Sequence, residues 1–562
     1  MKKNVTKKIL AGLLTIIMIL ASFPIIASAA SSADIKLTDV SVRYADADGN
    51  TDGDKAQGLR FTVSVDKKSR TYLNAVREEG DYATSNETVK FGIVIIPTDM
   101  IADGKELTID TEDAEVVLFD KIYSQTEEEL VFTVSLLGIP TEDFSREMSA
   151  RAFVKVTRND ASRYTYSDDI MKKTFVAVGN YFYEDNRSDE ELCARLDEIF
   201  TNCEEYQGEH LSSVTFTLFA DLHYWAGWYM SSVDDLKSIL KRANDSNSDF
   251  VMQAGDFTNN IKGSAELINA YHDNEYDLPV YGIYGNHEME TGAGMAEVTP
   301  TLTNDNGVVW GTEDGKMAAD GSVGYYYFDV GGIRMICLDA NYSQNSNDEW
   351  MHNPAGSYSY PAGNKNGYSL GPTQLTWFES VLNDAAETDQ SCVVVSHIGF
   401  ATDWHSSPDG AKVRALYKAA NEKNAGTVLM SISGHLHTNR QQMLDGVLHW
   451  DMNTVRNGVY DDNGTAHYTT QKFTYKKYTD GVLTSTSEQL VKNLGHANKT
   501  WFFEDPLSAV VTVSTSGKIK VEGSETKWFG GVKPARDGTD GTEPRVTSGI
   551  YELPIYGKKK DE

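Results

Sequence analysis

Cysteine is scarce in this sequence, with four residues among 562. Four cysteines in a chain of this size do not make a disulfide framework, which excludes the small disulfide-rich folds. Cys337 and Cys392 lie in apolar runs typical of strands, so we expect them to be buried. Cys193 lies in the helical pattern of residues 189–200 and Cys203 lies just beyond it, so they could pair only if that helix ended near Thr201, and their pairing stays open.

Basic residues are also few relative to acidic ones. The chain has 51 Lys and Arg residues against 82 Asp and Glu residues, which gives a formal net charge of -31 at pH 7. A surface of this sign repels polyanions and favours solubility. We therefore expect no nucleic acid among its partners.

Long apolar runs are absent from the sequence after its N-terminus. Residues 1–29 have the pattern of a secretory signal peptide: four lysines, an apolar run over residues 9–20 and the small residues Ala27-Ser28-Ala29. The run is short for a membrane anchor, so we expect cleavage, a mature chain starting near Ala30 and a secreted or cell-surface protein without a transmembrane segment.

The length predicts two or three domains. Residues 34–185 alternate polar and apolar side chains in short runs, which is typical of a β-sandwich. Residues 186–210 are predicted to be a helical linker. Residues 211–455 alternate strands with amphipathic helices, and 456–562 are predicted to contribute strands that complete this second domain. Residues 48–53 resemble the start of a calcium loop, but Leu59 stands where an acidic ligand is needed, so a polar turn is favoured.

Five short motifs follow one another in this second region, each after an apolar strand. They are Asp-Leu-His at 221–223, Gly-Asp at 255–256, Gly-Asn-His-Glu at 285–288, Ser-His at 396–397 and Gly-His-Leu-His at 434–437. In layered α/β folds the carboxyl ends of strands form the ligand crevice, so these motifs can converge. The candidate metal ligands are Asp221, His223, Asp256, Asn286, His397, His435 and His437.

These donors are carboxylate, amide and imidazole groups without thiolates, a set that suits Mn, Fe or Zn. Seven donors exceed the needs of one tetrahedral ion. Two ions that share a bridging carboxylate would use all of them, and such pairs are the standard arrangement for displacement at phosphorus.

The ordered motifs closely resemble those of the calcineurin-like metallophosphoesterases, over about residues 211–452. The resemblance implies an α/β (α+β) four-layer fold in which two facing mixed β-sheets are flanked by helices. It also implies that Asp221, His223, Asp256 and His437 hold one metal ion, and that Asp256, Asn286, His397 and His435 hold the other. His287 would be the catalytic acid, oriented by Glu288, and a metal-bound hydroxide would attack a small or polymer-linked phosphate ester.

Three positions depart from relatives within this family. Asn260 and Tyr284 stand where protein Ser/Thr phosphatases have phosphate-binding arginines, which makes a phosphoprotein substrate unlikely to fit. Asn259 stands where purple acid phosphatases have an iron-binding tyrosine, so an iron–tyrosinate centre is not expected.

Two features keep alternative interpretations. The aromatic residues near the first and fourth motifs could form a wall of the substrate site or could be packing residues. They are Tyr224, Trp225, Trp228, Tyr229, Phe400, Trp404 and His405. The insertion at 289–331 could form a lid or could be a surface loop.

The alternative function is a cell-surface binding protein, in which the N-terminal β-domain binds polymer or carbohydrate and the phosphoesterase fold is vestigial. The sequence leaves open the choice of monoester or diester and the oligomeric state.

Overall fold

The computed structural model describes residues 35–45, 57–66, 87–102, 104–118, 121–126, 128–158, 161–224, 231–288, 293–352, 365–401, 407–460, 472–479, 482–490, 500–528 and 544–553. The predicted signal peptide and the turn at 48–53 lie outside these residues. The described chain divides into two compact units on either side of the boundary between Leu211 and Ser212.

The described part of the first unit is a β-sandwich with two α-helices. Its described strands are β1 (Ile35–Arg43), β2 (Gly58–Asp66), β3 (Glu87–Pro97), β4 (Glu115–Leu118), β5 (Lys121–Gln125), β6 (Glu129–Leu137), β7 (Met148–Arg158), β8 (Ala161–Tyr166) and β9 (Met171–Lys173), and its helices are α1 (Phe175–Asp185) and α2 (Glu190–Ile199). One sheet has the order β1-β2-β6-β5 and the other β4-β3-β7-β8, with β9 beside β7.

Alternating side chains of both sheets meet in one apolar core, in which Phe61 and Phe132 from one sheet join Ile93 from the other. This is the packing that a period-two pattern predicts. Leu196 and Ile199 of α2 enter the same core. The segment predicted as a helical linker is therefore part of the first unit, because its apolar stripe is buried there.

The second unit contains the remaining elements. Its described strands are β10 (Ser213–Phe219), β11 (Phe250–Gln253), β12 (Val280–Gly282), β13 (Val309–Trp310), β14 (Tyr326–Val330), β15 (Ile333–Leu338), β16 (Tyr342–Gln344), β17 (Trp350–His352), β18 (Lys365–Ser369), β19 (Ser391–Ser396), β20 (Val428–Ser433), β21 (Arg440–Leu444), β22 (Val447–Asp451), β23 (Asn457–Tyr460), β24 (Lys472–Thr479), β25 (Val482–Leu490), β26 (Thr500–Phe502), β27 (Ala509–Ser514), β28 (Lys518–Gly523) and β29 (Gly549–Glu552). Its described helices are α3 (Val233–Asp245), α4 (Ala265–His272), α5 (Met295–Val298), α6 (Gly371–Glu387) and α7 (Gly410–Lys423).

Two mixed sheets form the centre of this unit. The first has the order β12-β11-β10-β27-β28-β29 and the second β13-β14-β15-β19-β20-β22-β21. The sheets face each other through aromatic rings: Phe328 of the second sheet stacks on Tyr281 of the first, with ring centroids 3.6 Å apart, and meets Phe250 edge-on. Strand β27 pairs antiparallel with β10, so C-terminal strands extend the first sheet.

Helices cover the outer faces of both sheets. Helix α3 begins with a capping box between Ser232 and Asp235 and buries Leu236 and Ile239 among residues of the first sheet. Helices α6 and α7 pack on the second sheet in a cluster that includes Phe378 and Tyr417. The predicted mixed α/β fold of sheets flanked by helices is confirmed.

The described residues include part of the insertion at 289–331 and all four cysteines. Part of the insertion forms β13, an edge strand paired with β14. All four cysteines are buried free thiols, and the Cys193 and Cys203 side chains bond separately to the Asn186 carbonyl and the Glu205 carboxylate.

No helix in the described ranges combines the length and apolar character needed to cross a bilayer.

Candidate metal centre

Each predicted ligand lies in a loop at the carboxyl end of a strand. Parallel strands β10, β11 and β12 of the first sheet lead to the loops of the first three motifs. Parallel strands β19 and β20 of the second sheet lead to the other two. Because parallel strands end at the same edge, both sheets direct their loops to one place.

The loop backbones are strained where the ligands lie. Five of the candidate ligands have a positive φ of 51 to 70°, a region that residues other than glycine rarely adopt. They are Asp221, His223, Asp256, His435 and His437. Gly285 allows a further close approach, since a Cβ there would lie 2.1 Å from the Asp256 Oδ1 atom. Strained backbone of this kind is concentrated at functional sites.

The candidate donors form three overlapping groups in which all ligand atoms lie within 4.8 Å of one another. The groups are Asp221 with His223 and His437, Asp256 with His397 and His435, and His223 with Asp256 and His287. Asn286 joins the second group, because its Oδ1 atom is 2.9 Å from His435 Nδ1. The structure thus brings all seven predicted ligands together, with Asp256 in two groups.

Hydrogen bonds behind two imidazoles determine which nitrogen faces the centre. His397 Nδ1–H donates to the Ala254 carbonyl at 2.8 Å, and His223 Nδ1–H donates to Asn259 Oδ1 at 2.9 Å. Both Nε2 atoms therefore face the centre, as those of ligating histidines do.

The Nε2 atoms of His397 and His223 both face other electron-rich atoms. His397 Nε2 is buried, lacks a hydrogen-bond partner among the described residues and lies 3.1 Å from Asp256 Oδ2. His223 Nε2 lies 3.0 Å from His437 Nε2. Without a cation between them, these donors repel one another or must take up protons, so the donor set fits metal ions.

Burial and local charge set the protonation of these ligands in the metal-free protein. Burial lowers the pKa of His223 to about 4 and that of His435 to about 3, which keeps both imidazoles neutral. Burial opposes the charge of His397, but Asp256 and Asp221 outweigh it and raise its pKa to about 10. Burial likewise opposes ionisation of Asp256, yet His397 and His287 hold its pKa well below the usual range.

His287 lies beside the ligands with its ring held by Asn259. The Asn259 Nδ2–H donates to His287 Nδ1 at 2.6 Å, so the ring proton is on Nε2. The backbone N–H of His287 donates to Asp256 Oδ1 at 2.9 Å. His287 Nε2 is 3.8 Å from Asp256 Oδ2, which directs this N–H toward the centre.

Glu288 has a different position from the one expected. Its two carboxylate oxygens accept the backbone N–H groups of Phe257 at 2.6 Å and Gly285 at 2.7 Å. The carboxylate therefore fastens two motif loops together, and the side chain that orients His287 is Asn259. Sequence reasoning considered Asn259 only as a replacement for tyrosine; its spacing of three residues after Asp256 was the available signal.

Asn260 and Tyr284, which stand where protein Ser/Thr phosphatases have arginines, have structural roles in this chain. The Asn260 side chain accepts the Gly263 N–H at the start of a short 3₁₀ turn, Ile261–Gly263. Tyr284 is fully buried, with its hydroxyl 2.7 Å from Thr299 Oγ1.

Tyr224 and Phe400 are buried in the apolar cores, so these two aromatic residues are packing residues. Trp225, Trp228, Tyr229, Trp404 and His405 lie outside the described residues.

Comparison with known proteins agrees with this class of fold and site. Residues 214–439 match the family model described as calcineurin-like phosphoesterase. The chain thus contains a calcineurin-like phosphoesterase domain, and the resemblance seen in the motifs is confirmed. No curated protein gives a significant match.

Solved structures with some similarity include three from different organisms. A dimetal phosphatase from Danio rerio is 15% identical, with 43% of this chain and 87% of that chain covered and a TM-score of 0.31. GAP50, the anchor in the inner membrane complex of Plasmodium, is 12% identical, with 62% and 90% covered and a TM-score of 0.30. A Staphylococcus aureus protein assigned as a 5′-nucleotidase is 13% identical, with 62% and 55% covered and a TM-score of 0.30.

Proposed function

We propose that this protein is a secreted, dinuclear metal-dependent phosphoesterase that hydrolyses a small or exposed phosphate monoester or diester. The observation that carries the proposal is the convergence of seven donors around Asp256, whose Oδ2 atom lies 3.6 Å from His223 Nε2 of one proposed site and 3.1 Å from His397 Nε2 of the other. A vestigial fold would have no physical need for two buried carboxylates surrounded by four imidazoles.

Asp221, His223, Asp256 and His437 would hold one ion, and Asp256, Asn286, His397 and His435 the other. Such ions, when bound, supply Lewis acidity toward phosphoryl oxygens and lower the pKa of a nucleophilic water. The chain itself supplies fixed ligand geometry: Asn259 and the Ala254 carbonyl hold two imidazoles from behind, and Glu288 holds the loops.

His287 directs an Nε2–H group into this centre. Transfer of a proton to a leaving oxygen needs an imidazolium, whose second proton on Nδ1 would face the Asn259 Nδ2–H group that now donates to it. This arrangement favours a neutral His287 that donates a hydrogen bond to a phosphoryl or leaving oxygen over the general acid predicted from the family. Either role would stabilise the negative charge that develops on the oxygen atoms in the transition state.

Secretion is part of the proposal and rests on the N-terminal sequence. Cell fractionation and N-terminal sequencing of the mature protein are expected to find an extracellular chain that starts near Ala30. A cell-associated chain that retains Met1 would contradict it.

The activity is tested with a substrate panel on protein loaded with Mn, Fe or Zn. The panel comprises nucleotides, sugar phosphates, cyclic nucleotides, phosphodiester lipids and wall polymers, each assayed with and without chelator. We expect chelator-sensitive hydrolysis of at least one class. Fully loaded protein that hydrolyses none of them, nor a nitrophenyl ester, would support the binding-protein alternative.

A further inference from the structure

Strand β18 has an irregular backbone beside the candidate metal centre. Asn366 and Tyr368, which are two residues apart in this strand, have φ values of 49° and 62°. This region is uncommon for any side chain except glycine and is an outlier for a bulky one. The pairing of β18 with β16 is correspondingly interrupted between Tyr342 and Gln344.

The irregular backbone brings the Tyr368 ring to the centre. Its ring centroid lies 5.5 Å from that of His435, one of the candidate ligands. The ring packs against the apolar cluster of the second sheet and is half-buried, so part of it is accessible. Strain that holds an aromatic ring beside a ligand indicates a contact surface for something bound at that ligand.

The small sheet that carries Tyr368 is firmly connected to the motif loops. The strand β17 residue His352 bonds through Nε2 to the buried Asp339 carboxylate at 2.8 Å. Asp339 also accepts the side-chain N–H of Asn341 at 3.0 Å, and Asn341 donates to the Gly285 carbonyl at 3.1 Å. These hydrogen bonds connect the sheet to the loop of Asn286 and His287, so Tyr368 has a defined place relative to the ligands.

We propose that Tyr368 is a specificity-determining residue whose ring stacks on a planar aromatic or heteroaromatic group of the phosphate ester. The inference rests on the proposed function, since it takes phosphate to bind beside His435. A planar group attached to phosphorus there covers the accessible ring more fully than an alkyl chain does.

The test compares two product-like ligands, phenylphosphonate and methylphosphonate, on the full-length metal-loaded protein by calorimetry. The wild type is expected to bind phenylphosphonate more tightly. Tyr368→Gly suits the left-handed backbone, so it removes the ring without introducing strain. It is expected to weaken phenylphosphonate binding about tenfold, the scale of one stacking contact, with little change for methylphosphonate.

Asn366→Gly is the matched control, because it relaxes the same strand at a similar φ and removes only an exposed side chain that bonds to Gln344. It is expected to leave both affinities unchanged. Elemental analysis accompanies each variant and is expected to give equal metal content.

Three results would overturn the inference: equal losses for both phosphonates in Tyr368→Gly, no loss for either, or a wild type that does not prefer phenylphosphonate. The proposed function fails separately. A wild type that shows the expected binding pattern but hydrolyses no ester leaves the Tyr368 contact intact and removes the enzymatic role.

Discussion

The two units of this chain bury different kinds of polar side chain. Among the described residues of the first unit, the buried polar groups are neutral, such as Ser149, Thr174 and Asn180. The second unit buries carboxylates and imidazoles, including Asp221, Asp256 and His397. Burying a charge costs free energy unless it is paired, so a fold alone gives no reason to collect such groups. Among the described residues, this difference places the candidate catalytic and metal-binding groups in the second unit.

The largest expected effect comes from Asp256→Asn. The Asp256 Oδ2 atom lies 3.6 Å from His223 Nε2 of one proposed site and 3.1 Å from His397 Nε2 of the other, so the change should weaken both metal sites, lower the stoichiometry below two and reduce turnover more than about 100-fold. His223→Ala should mainly weaken one site. Elemental analysis and turnover of a chromogenic ester measure both. A stoichiometry of one in the wild type, with Asp256→Asn no worse than His223→Ala, would contradict two ions.

Asp235→Asn is a control for burial itself. Asp235 is a buried carboxylate of the same unit, 3.1 Å from Arg456, and it belongs to the helix cap. Its loss should lower Tm while turnover per folded molecule stays unchanged.

A smaller loss is expected from Gly255→Ala. At φ +87° an added Cβ would lie 2.4 Å from His397 Nδ1, so the imidazole must shift and metal affinity should fall about 10- to 100-fold. Gly446→Ala has a similar φ of +79° with nothing within 4 Å of the Cβ, and should cost only about 1 kcal/mol of stability. Chelator competition and thermal unfolding distinguish these effects; equal metal affinity in the two variants would refute the steric argument.

His287→Ala distinguishes the two roles of that side chain. A general acid matters most for a poor alkoxide leaving group, typically by 10²–10⁴-fold, and far less for nitrophenolate. A neutral donor to a phosphoryl oxygen, which Asn259 favours, instead predicts similar losses, on the order of 10²–10³-fold, on alkyl and nitrophenyl esters with metals retained. A much greater loss on alkyl esters alone would restore the general acid.

A buried imidazole in the second unit should make its stability depend on pH. Burial, followed by the charge of Arg414, lowers the pKa of His449 to about 4 from an ordinary value of 6.5. The unfolded chain then binds more protons between these values, so His449 favours the folded state above pH 6.5 and this contribution is lost as pH falls toward 4. The loss is at most on the order of 3 kcal/mol.

Thermal unfolding from pH 4 to 7 measures this effect. His449→Gln should flatten the dependence, whereas His210→Gln, at an exposed side chain of the first unit, should leave it unchanged. A slope unaffected by His449→Gln would show that other groups cause the acid sensitivity.

The smallest effect is expected from deletion of the first unit, residues 34–211. Every candidate ligand lies after residue 210, so turnover of a small ester should stay within about twofold while any polymer or surface targeting is lost. A soluble, metal-loaded deletion variant without activity would show that the first unit helps to build the site.

The sequence by itself determined the ligand set and the layered fold. Carboxylate, amide and imidazole motifs at strand ends can converge only where parallel strands end together, and period-two and helical patterns define the layers. The helix of residues 190–199 was harder to place, since an amphipathic stripe does not reveal which core will bury it.

Only the tertiary structure decided the roles of the surrounding residues. Asn259 holds two imidazoles, Glu288 accepts two backbone amides, and Tyr368 lies beside His435. Apart from the local Glu288–Gly285 bond, these roles depend on contacts between residues 28 to 67 positions apart, and on backbone angles that local sequence does not specify. The kind of donor atom that a residue offers is a property of that residue alone. The direction of its hydrogen bonds and the position of an aromatic ring are set only when separate loops meet in the fold.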